Sequence, residues 1–572
     1  FNPVLGMGRQ PLWPRLWETF GEDIYMASIM GAEYVKGLQG NDLSDPVRVA
    51  ACAKHYLGYS FPLSGKDRTP AWIPERMLRE IFLPSFKAAI DAGAVTVMVN
   101  SSEINGIPVH SSHFLLTELL RDELGFEGFV VSDWNDINSL YLREKVAKDQ
   151  KEAVKMAVMA GIDMSMVPYD FSFYELLLEL VNEGSVPVER IDEAVNRILK
   201  VKYLLGLFEN PYPEKRLLKK IATEDARLLN HQSACEAITL LKNDDGVLPL
   251  DKKQKVFITG PAANALSVLN GGWTITWQGN QEALYPHEKL TILEAIQEET
   301  GKEKVSYSPG VTFESEIDIS ESVQRAKSAD VAVICIGEPA YCETPGNIDD
   351  LTMTEPQLNL VKAISEAGVP IVLVLAEGRP RLINTIVDLA DAVIMAYLPG
   401  LEGGSAIADV LFGDVNPSGK LPISYPRYPN SLMTYDHKAS EVMDVNDYDV
   451  QWPFGFGMSY TTFVYSNIKL DKIEYSLDDE IVISIDVTNT GDRQGKEVVQ
   501  LYVGDKIASV TPPVKRLKRF QKIDLQSGET KTVSFTLRSM DLSFIGRENN
   551  RIVEPGEFSV EIAGHESGFT LN

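Results

Sequence analysis

The spacing of apolar residues changes once along this chain, and that change limits what it can fold into. Up to about residue 428 the apolar residues come in short unbroken runs separated by amphipathic stretches. The first runs are NPVLGM (2–7), ACAKHYLG (51–58), VTVMVNSS (95–102), GFVVSDW (128–134) and GIDMSMV (161–167). Between them lie segments of helical periodicity, such as ERMLREIFLPSFKAAIDAG (75–93) and SSHFLLTELLRDELG (111–125). A strand without alternation is buried on both faces, and strand–helix alternation then predicts a parallel sheet under helices. Each run ends on polar residues, as the strands of a (β/α) barrel do at its working mouth. A full barrel has eight strands. Five are legible, so the expectation is a (β/α)8-like barrel whose N-terminal part is missing from this chain. The runs KVFITG (255–260), DVAVICIG (330–337), PIVLVLAEG (370–378) and DAVIMAYLPG (391–400) continue the pattern as a second, open α/β sandwich. From about 460 the period becomes two, as in EIVISIDVTNTG (480–491), KEVVQLYVGD (496–505), TKTVSFTLRS (530–539) and GEFSVEIAG (556–564). With Gly- and Asp-rich turns between, this predicts an antiparallel β-sandwich. The expected division is a barrel over 1–206, a linker and helix over 207–233, an α/β sandwich domain over 234–428, a Pro-, Tyr- and Asp-rich linker over 429–459, and a β-sandwich over 460–572.

A length of 572 residues exceeds one core and suits two to four domains. The net charge of −27 argues against nucleic acid or an anionic membrane surface as partner, since both repel an acidic protein. No run of about 18 apolar residues occurs, so no membrane span is expected. The opening FNPVLGMGRQP has neither an initiator Met nor a leader pattern and reads as the middle of a domain, which leaves export open. The four cysteines, Cys52, Cys235, Cys335 and Cys342, match no zinc spacing and are too few for a disulfide scaffold. Cys52 and Cys335 sit in apolar runs and read as small buried hydrophobes. No metal ligand set stands out, and no cofactor is expected. FITGPAANAL (257–266) turns on a glycine after a strand but has neither G-x-G-x-x-G nor a P-loop.

The polar strand ends are where chemistry is expected. They are Lys54 and His55 in AKHY, Asn100 to Glu103 in NSSE, Asp133 and Trp134 in SDW, and Asp163 in GIDM; Arg15 lies in the loop PLWPRLWETFGED. An ionised carboxylate at the rim of an apolar strand is costly unless it is paired or used. If the barrel closes, Lys54, His55 and Arg15 surround Asp133, lower its pKa and keep it a nucleophile at neutral pH. Trp134 adds a flat apolar wall. The same residues also have plainer readings. Lys54 and Arg15 could pair with acids, His55 could be a satisfied buried histidine, and Asp163 reads as a structural acid bonding a loop.

These motifs resemble glycoside hydrolase family 3, the family of β-glucosidases and glucan exohydrolases, over essentially the whole chain. The resemblance rests on RQPLWPRLWETFGED, ACAKHYLG, GFVVSDW, AVNRILKVKYLLGLFENPY, LLKNDDGVLPL, GWTITWQG (272–279), YCETPGNIDDLTMTEPQ (341–357), GRPRLINTI, AYLPGLEGG, GDVNPSGKLPISYP and PFGFGMSYTTF, in that order. It implies a (β/α)8-like barrel, an (αβ)6 sandwich and a fibronectin III-like domain, with the active site between the first two. Carried over residue by residue, Asp133 matches the nucleophile and Glu343, in YCET, the acid/base. Glu343 suits that role if partial burial raises its pKa. Arg15, Lys54 and His55 match groups that hold the glycone hydroxyls. Trp134 and Trp277 match aromatic subsite walls, with Trp273 nearby. Ser101 stands where relatives often carry Tyr, only Arg15 remains of the DPRWGR pattern, and a glycone-binding Asp of the family would lie upstream of residue 1. Glu338, five residues before Glu343, is a rival for the acid/base and could instead bond the loop.

The implied activity is a retaining, exo-acting β-glucosidase that releases terminal glucose from cello-, laminari- or xyloglucan-type oligosaccharides. The alternatives are a β-xylosidase or other exo-glycosidase of the family, or a carbohydrate-binding member without activity. Trp134 follows the nucleophile where xylosidases often have Cys, and the KHFPGHGD-type loop of N-acetylglucosaminidases is absent from KHYLGYSFPLSGKD. The implied partners are a β-glucoside or β-glucan oligosaccharide as substrate and glucose as product. The implied location is periplasmic or secreted, with the cytoplasm left open. A homodimer is a further expectation. The basic, Pro-marked segment GDKIASVTPPVKRLKRFQKI (504–523) is where the last domain could reach a neighbour.

Overall fold

The computed structural model describes residues 1–442 and 448–572; residues 443–447, within the expected 429–459 linker, lie outside the described residues. The chain forms two compact units, Phe1–Ile221 with Arg547–Asn550, and Ala222–Gly546 with Arg551–Asn572.

In the first unit, β1 (Cys52–Tyr56), β2 (Thr96–Val99) and β3 (Phe129–Val131) form a parallel sheet in chain order. Val4 bridges to Lys54 and Met164 to Val131, both parallel. The five apolar runs are therefore five neighbouring parallel segments, but the outer two make one bridge each rather than full strands. Pro3 has no N–H to donate to a ladder. At the other edge the Asp163 carboxylate, not a strand carbonyl, accepts the Val130 N–H at 2.9 Å. The segment expected as a helix over 111–125 contains a helix at Phe114–Glu123 with π-type bonding, and Leu115, Leu116, Leu119 and Leu120 are its buried face. These leucines join Leu5, Met7, Val97, Val99, Val130 and Ile162 in one core.

Asp163 is a structural clamp. Its carboxylate accepts from Arg121 (2.6 Å), Arg190 (2.9 Å) and Arg197 (3.0 Å), tying the sheet to the helices Phe114–Glu123 and Val188–Leu204. Asp163→Asn leaves three guanidinium groups clustered without their counter-charge. It is expected to cost about 3–5 kcal/mol, the usual effect of breaking a buried ion network. Urea unfolding measures this, and a loss under about 1 kcal/mol would contradict the clamp.

In the second unit, strands β4 (Thr239–Asn243), β5 (Val256–Thr259), β6 (Val305–Tyr307), β7 (Val331–Gly337), β8 (Ile371–Ala376) and β9 (Ala392–Met395) form one sheet in the order β4-β9-β8-β7-β5-β6. All pairs are parallel except β4 with β9. The unbroken apolar run of β7 has a direct cause. Val331, Val333 and Cys335 enter the core on one face, and Ala332, Ile334 and Ile336 that on the other. All four cysteines are buried, and none of them forms a disulfide.

The last part is a β-sandwich of two sheets, β10-β12-β15 and β11-β17-β16-β13-β14. Its strands are β10 (Phe463–Leu470), β11 (Glu474–Tyr475), β12 (Ile481–Asn489), β13 (Gly495–Asp505), β14 (Arg516–Leu525), β15 (Thr530–Leu537), β16 (Gly556–Ile562) and β17 (His565–Leu571). On β12 the buried residues alternate strictly, the period-two pattern of the sequence. Much of the basic segment 504–523 is itself strand β14, paired along β13. Its cations are used within the chain: Lys515 pairs with Glu561, Arg519 with Asp541 and Lys522 with Glu236. No helix among the described residues is long and apolar enough to cross a membrane.

Candidate active site

The loop after β3 places Asp133 where the apolar strand ends, and its side chain is buried. Two backbone contacts fix it. The Asp133 N–H donates to His110 Nε2 at 3.1 Å, and the Trp134 N–H donates to Asp133 Oδ1 at 2.5 Å. Asp133 Oδ2 has no hydrogen-bond partner among the described residues. His55 Nε2 lies 3.8 Å from that oxygen.

The electrostatics differ from the expectation of a carboxylate held low by cations. Burial, reinforced by the nearby Asp136 carboxylate, raises the Asp133 pKa to about 6, against the opposing pull of Arg68 and Arg15. His55 is no cation either. Burial, with Arg15, Lys54 and Arg68 around it, holds its pKa well below the usual value. Burial and Arg15 also lower the pKa of Lys54. The Arg15 guanidinium is already engaged, donating to both Glu18 oxygens at 2.7 and 2.8 Å. Sequence spacing showed which groups share the strand ends, but desolvation outweighs their attraction for Asp133.

Several residues around Asp133 were not singled out in the sequence. Arg68 donates to Ser101 Oγ at 2.6 Å and lies 3.7 Å from Asp136. Ser101 is thus held by a cation rather than standing free, and its carbonyl accepts from Arg143 at 2.9 Å. His110 is buried, and burial holds its pKa at about 4, which leaves Nε2 free to accept. Tyr59, edge-on to His55 at 5.1 Å, donates to Asp67 at 2.5 Å. Only their position in SGKDRTP and PVHSSH, loops after polar strand ends, could have drawn attention to Arg68 and His110. Asn100 donates to the Leu57 carbonyl at 2.7 Å, and Glu103 sits on a short hairpin. Trp134 is half exposed, with Nε1 on the Tyr169 hydroxyl at 3.2 Å.

In the second unit, the loop after β7 carries both candidate acids. Glu338 is buried and fully engaged. It accepts from Tyr341 Oη (2.7 Å), Arg379 Nε (3.0 Å), the Arg379 N–H (3.2 Å) and Arg381 (3.0 Å). Burial pushes its pKa up, but Arg379 and Arg381 outweigh that and hold it below the usual value. Glu343 is buried too, and its backbone is left-handed, φ 56°. A side chain other than glycine adopts that conformation only where the surroundings enforce it, and such residues gather at functional sites. Trp273 and Trp277 are half exposed on a tight hairpin closed by the Trp273 N–H on the Trp277 carbonyl at 2.9 Å.

Among the described residues, two groups of side chains have metal-ligand spacing, His231/Cys235/Asp409 and Glu299/Asp409/Asp414. Both already have partners within the chain, His231 Nε2 lying 3.1 Å from Asp409 and Lys252 pairing with Glu299 and Asp414. Neither includes a candidate active-site residue.

A buried strand-end carboxylate in one α/β unit, two acids after a strand of a second α/β sheet, and a trailing β-sandwich make this a multidomain α/β protein with an enzyme-like arrangement of acids. Family models match in the same order: the glycosyl hydrolase family 3 N-terminal domain over residues 1–201, the family 3 C-terminal domain over 238–460, and a fibronectin type III-like domain over 497–566. The chain belongs to glycosyl hydrolase family 3. It is 45% identical to a lysosomal β-glucosidase of Dictyostelium discoideum, over 100% of this chain and 73% of that protein. It is 36% identical to a β-xylosidase of Formosa agariphila, over 96% of this chain and 78% of that one. Among solved structures it resembles the β-glucosidase from Listeria innocua in complex with glucose, with TM-score 0.92, 30% identity and coverage of 100% of this chain and 81% of that one. A variant of that enzyme in complex with laminaribiose matches at TM-score 0.93, 30% identity and the same coverage.

Proposed function

We propose that this chain is a retaining, exo-acting β-glucosidase that removes terminal glucose from β-linked oligosaccharides. The observation that carries the reading is Asp133: a buried carboxylate at a strand end, with one oxygen free of hydrogen bonds among the described residues and a pKa of about 6. Such an oxygen is expensive to maintain and is poised to react. In this reading the Asp133 carboxylate attacks the anomeric carbon. Glu343 gives its proton to the glycosidic oxygen, and the aglycone leaves as an alcohol. Water then attacks the glycosyl ester, Glu343 takes its proton, and Asp133 is released as a carboxylate with β-glucose. Retention needs the two carboxyls about 5–5.5 Å apart.

Glu343 is assigned the acid/base role because Glu338 is already committed to Tyr341, Arg379 and Arg381. Glu338 is held ionised by two arginines and has no proton to give. Arg15, Lys54, His55 and Ser101 are assigned to the glycone side. Trp134, Trp277 and Trp273 are assigned to the apolar faces of the sugars, which pack well on aromatic rings. None of these steps needs a metal or cofactor. The domain division of the sequence reading is retained as part of this proposal.

The 36% identity to a protein named β-xylosidase favours a second reading, an exo-xylosidase. Aryl β-glucoside and β-xyloside, assayed side by side with the first-formed anomer read by NMR, separate the two. The glucoside is expected to be preferred by at least ~10-fold in kcat/KM, the usual worth of a missing substituent in a fitted pocket, with β-glucose formed first. Preference for the xyloside would shift the assignment, and α-glucose formed first would remove the double displacement.

A further inference from the structure

We infer that Gln278 is a positioning residue of this hydrolase, joining the tryptophan hairpin to the loop that carries Glu343; the inference rests on the reading of Glu343 as acid/base. Its carboxamide donates through Nε2 to the Cys342 carbonyl at 3.0 Å and accepts through Oε1 from the Cys342 N–H, also at 3.0 Å. One side chain thus plays the part of a neighbouring strand for the residue directly before Glu343. A carboxamide offers a donor and an acceptor side by side, which an ionised carboxylate of the same size does not.

The contact is tight on both sides. A Cβ on Gly272 would come within 2.5 Å of Cys342 Cβ and 2.7 Å of the Tyr341 carbonyl oxygen, so only glycine lets the hairpin approach. The hairpin is closed behind Gln278 by Tyr285, whose hydroxyl donates to the Gly279 carbonyl at 2.7 Å. The loop is held from the other side as well. The Tyr341 hydroxyl bonds Glu338, and Arg379 lies over its ring at 4.6 Å. Residues 341 and 342 are therefore fixed, and the left-handed turn at Glu343 follows immediately. Trp273 and Ile275 on the hairpin share that left-handed backbone, φ 61° and 62°. Left-handed residues on both sides of one side-chain latch mark two strained segments that hold each other.

The consequence is that Gln278 orients the proton donor, and that a sugar seated on Trp273 or Trp277 bears on the same rigid piece. Loss of the latch would misplace the Glu343 carboxyl, not the nucleophile. The defect should then appear only where the leaving group needs a proton. Gln278→Ala and Gln278→Glu test this with an alkyl β-glucoside and 2,4-dinitrophenyl β-glucoside, whose phenolate leaves unaided. For both variants kcat/KM is expected to fall ~10- to 100-fold on the alkyl glucoside, in line with small misplacements of a catalytic group, and by less than about threefold on the dinitrophenyl glucoside. Gln278→Glu keeps the size and the acceptor, so it carries the test if Gln278→Ala fails to fold. Equal losses on both substrates, or no loss, would overturn the positioning role. A native protein that cleaves neither glucoside would instead overturn the function on which it rests.

Discussion

Asp133→Asn is expected to lower kcat on aryl β-glucosides by on the order of 10⁴-fold or more, the scale seen when a covalent nucleophile is removed. The amide is nearly isosteric and can keep the Trp134 N–H bond that now reaches Oδ1 at 2.5 Å, so the fold should be intact. With a 2-deoxy-2-fluoro-β-glucoside the native protein should trap a glycosyl ester on the peptide containing Asp133, and the variant should not. A label on another residue, or a variant with a substantial fraction of native activity, would displace Asp133 from the role. The pH dependence follows from the same carboxyl. It must be ionised to attack, and burial with Asp136 sets its pKa at about 6. Activity in kcat/KM should therefore fall as pH drops through about 6. Asp136→Asn removes a like charge and frees Arg68, and both effects lower the Asp133 pKa, so the acid limb should move to lower pH.

Much of this was legible because backbone period and burial are local in sequence. The strand–helix alternation, the switch to period two and the four polar strand ends follow from side chains every second or third residue. The strand ends showed Asp133 among Lys54, His55 and Asn100. Charge state was not legible, since it depends on how deeply the site is buried and on Asp136, which follows three residues later but reads as an ordinary helix-start acid. The partners Arg68 and His110 come from loops whose return to β3 no periodicity records. Arg15 is the opposite case: its cation is visible in the sequence, but Glu18, one turn away, had an equal claim on it. The rivalry between Glu338 and Glu343 also needed the fold, because Arg379 and Arg381 reach Glu338 from the segment after β8, more than forty residues on.

Glu343→Gln is expected to separate the two halves of the reaction. The amide cannot protonate a leaving group, so glucosides of poor leaving groups should lose ~10²- to 10⁴-fold in kcat/KM, the usual worth of general acid catalysis. The dinitrophenyl glucoside should still form the glycosyl ester on Asp133 at close to the native rate. Its hydrolysis then lacks a base to take the proton from water, so turnover should show a burst followed by a slow steady state. Azide needs no deprotonation, and adding it should speed that second step and yield β-glucosyl azide. Glu338→Gln should behave differently. It weakens a buried contact to two arginines and to Tyr341, so its losses should not depend on the leaving group, and azide should not restore them. If azide instead rescued the Glu338 variant and left the Glu343 variant unchanged, the two acids would exchange roles, and the arginine pair would then have to release Glu338 on binding substrate.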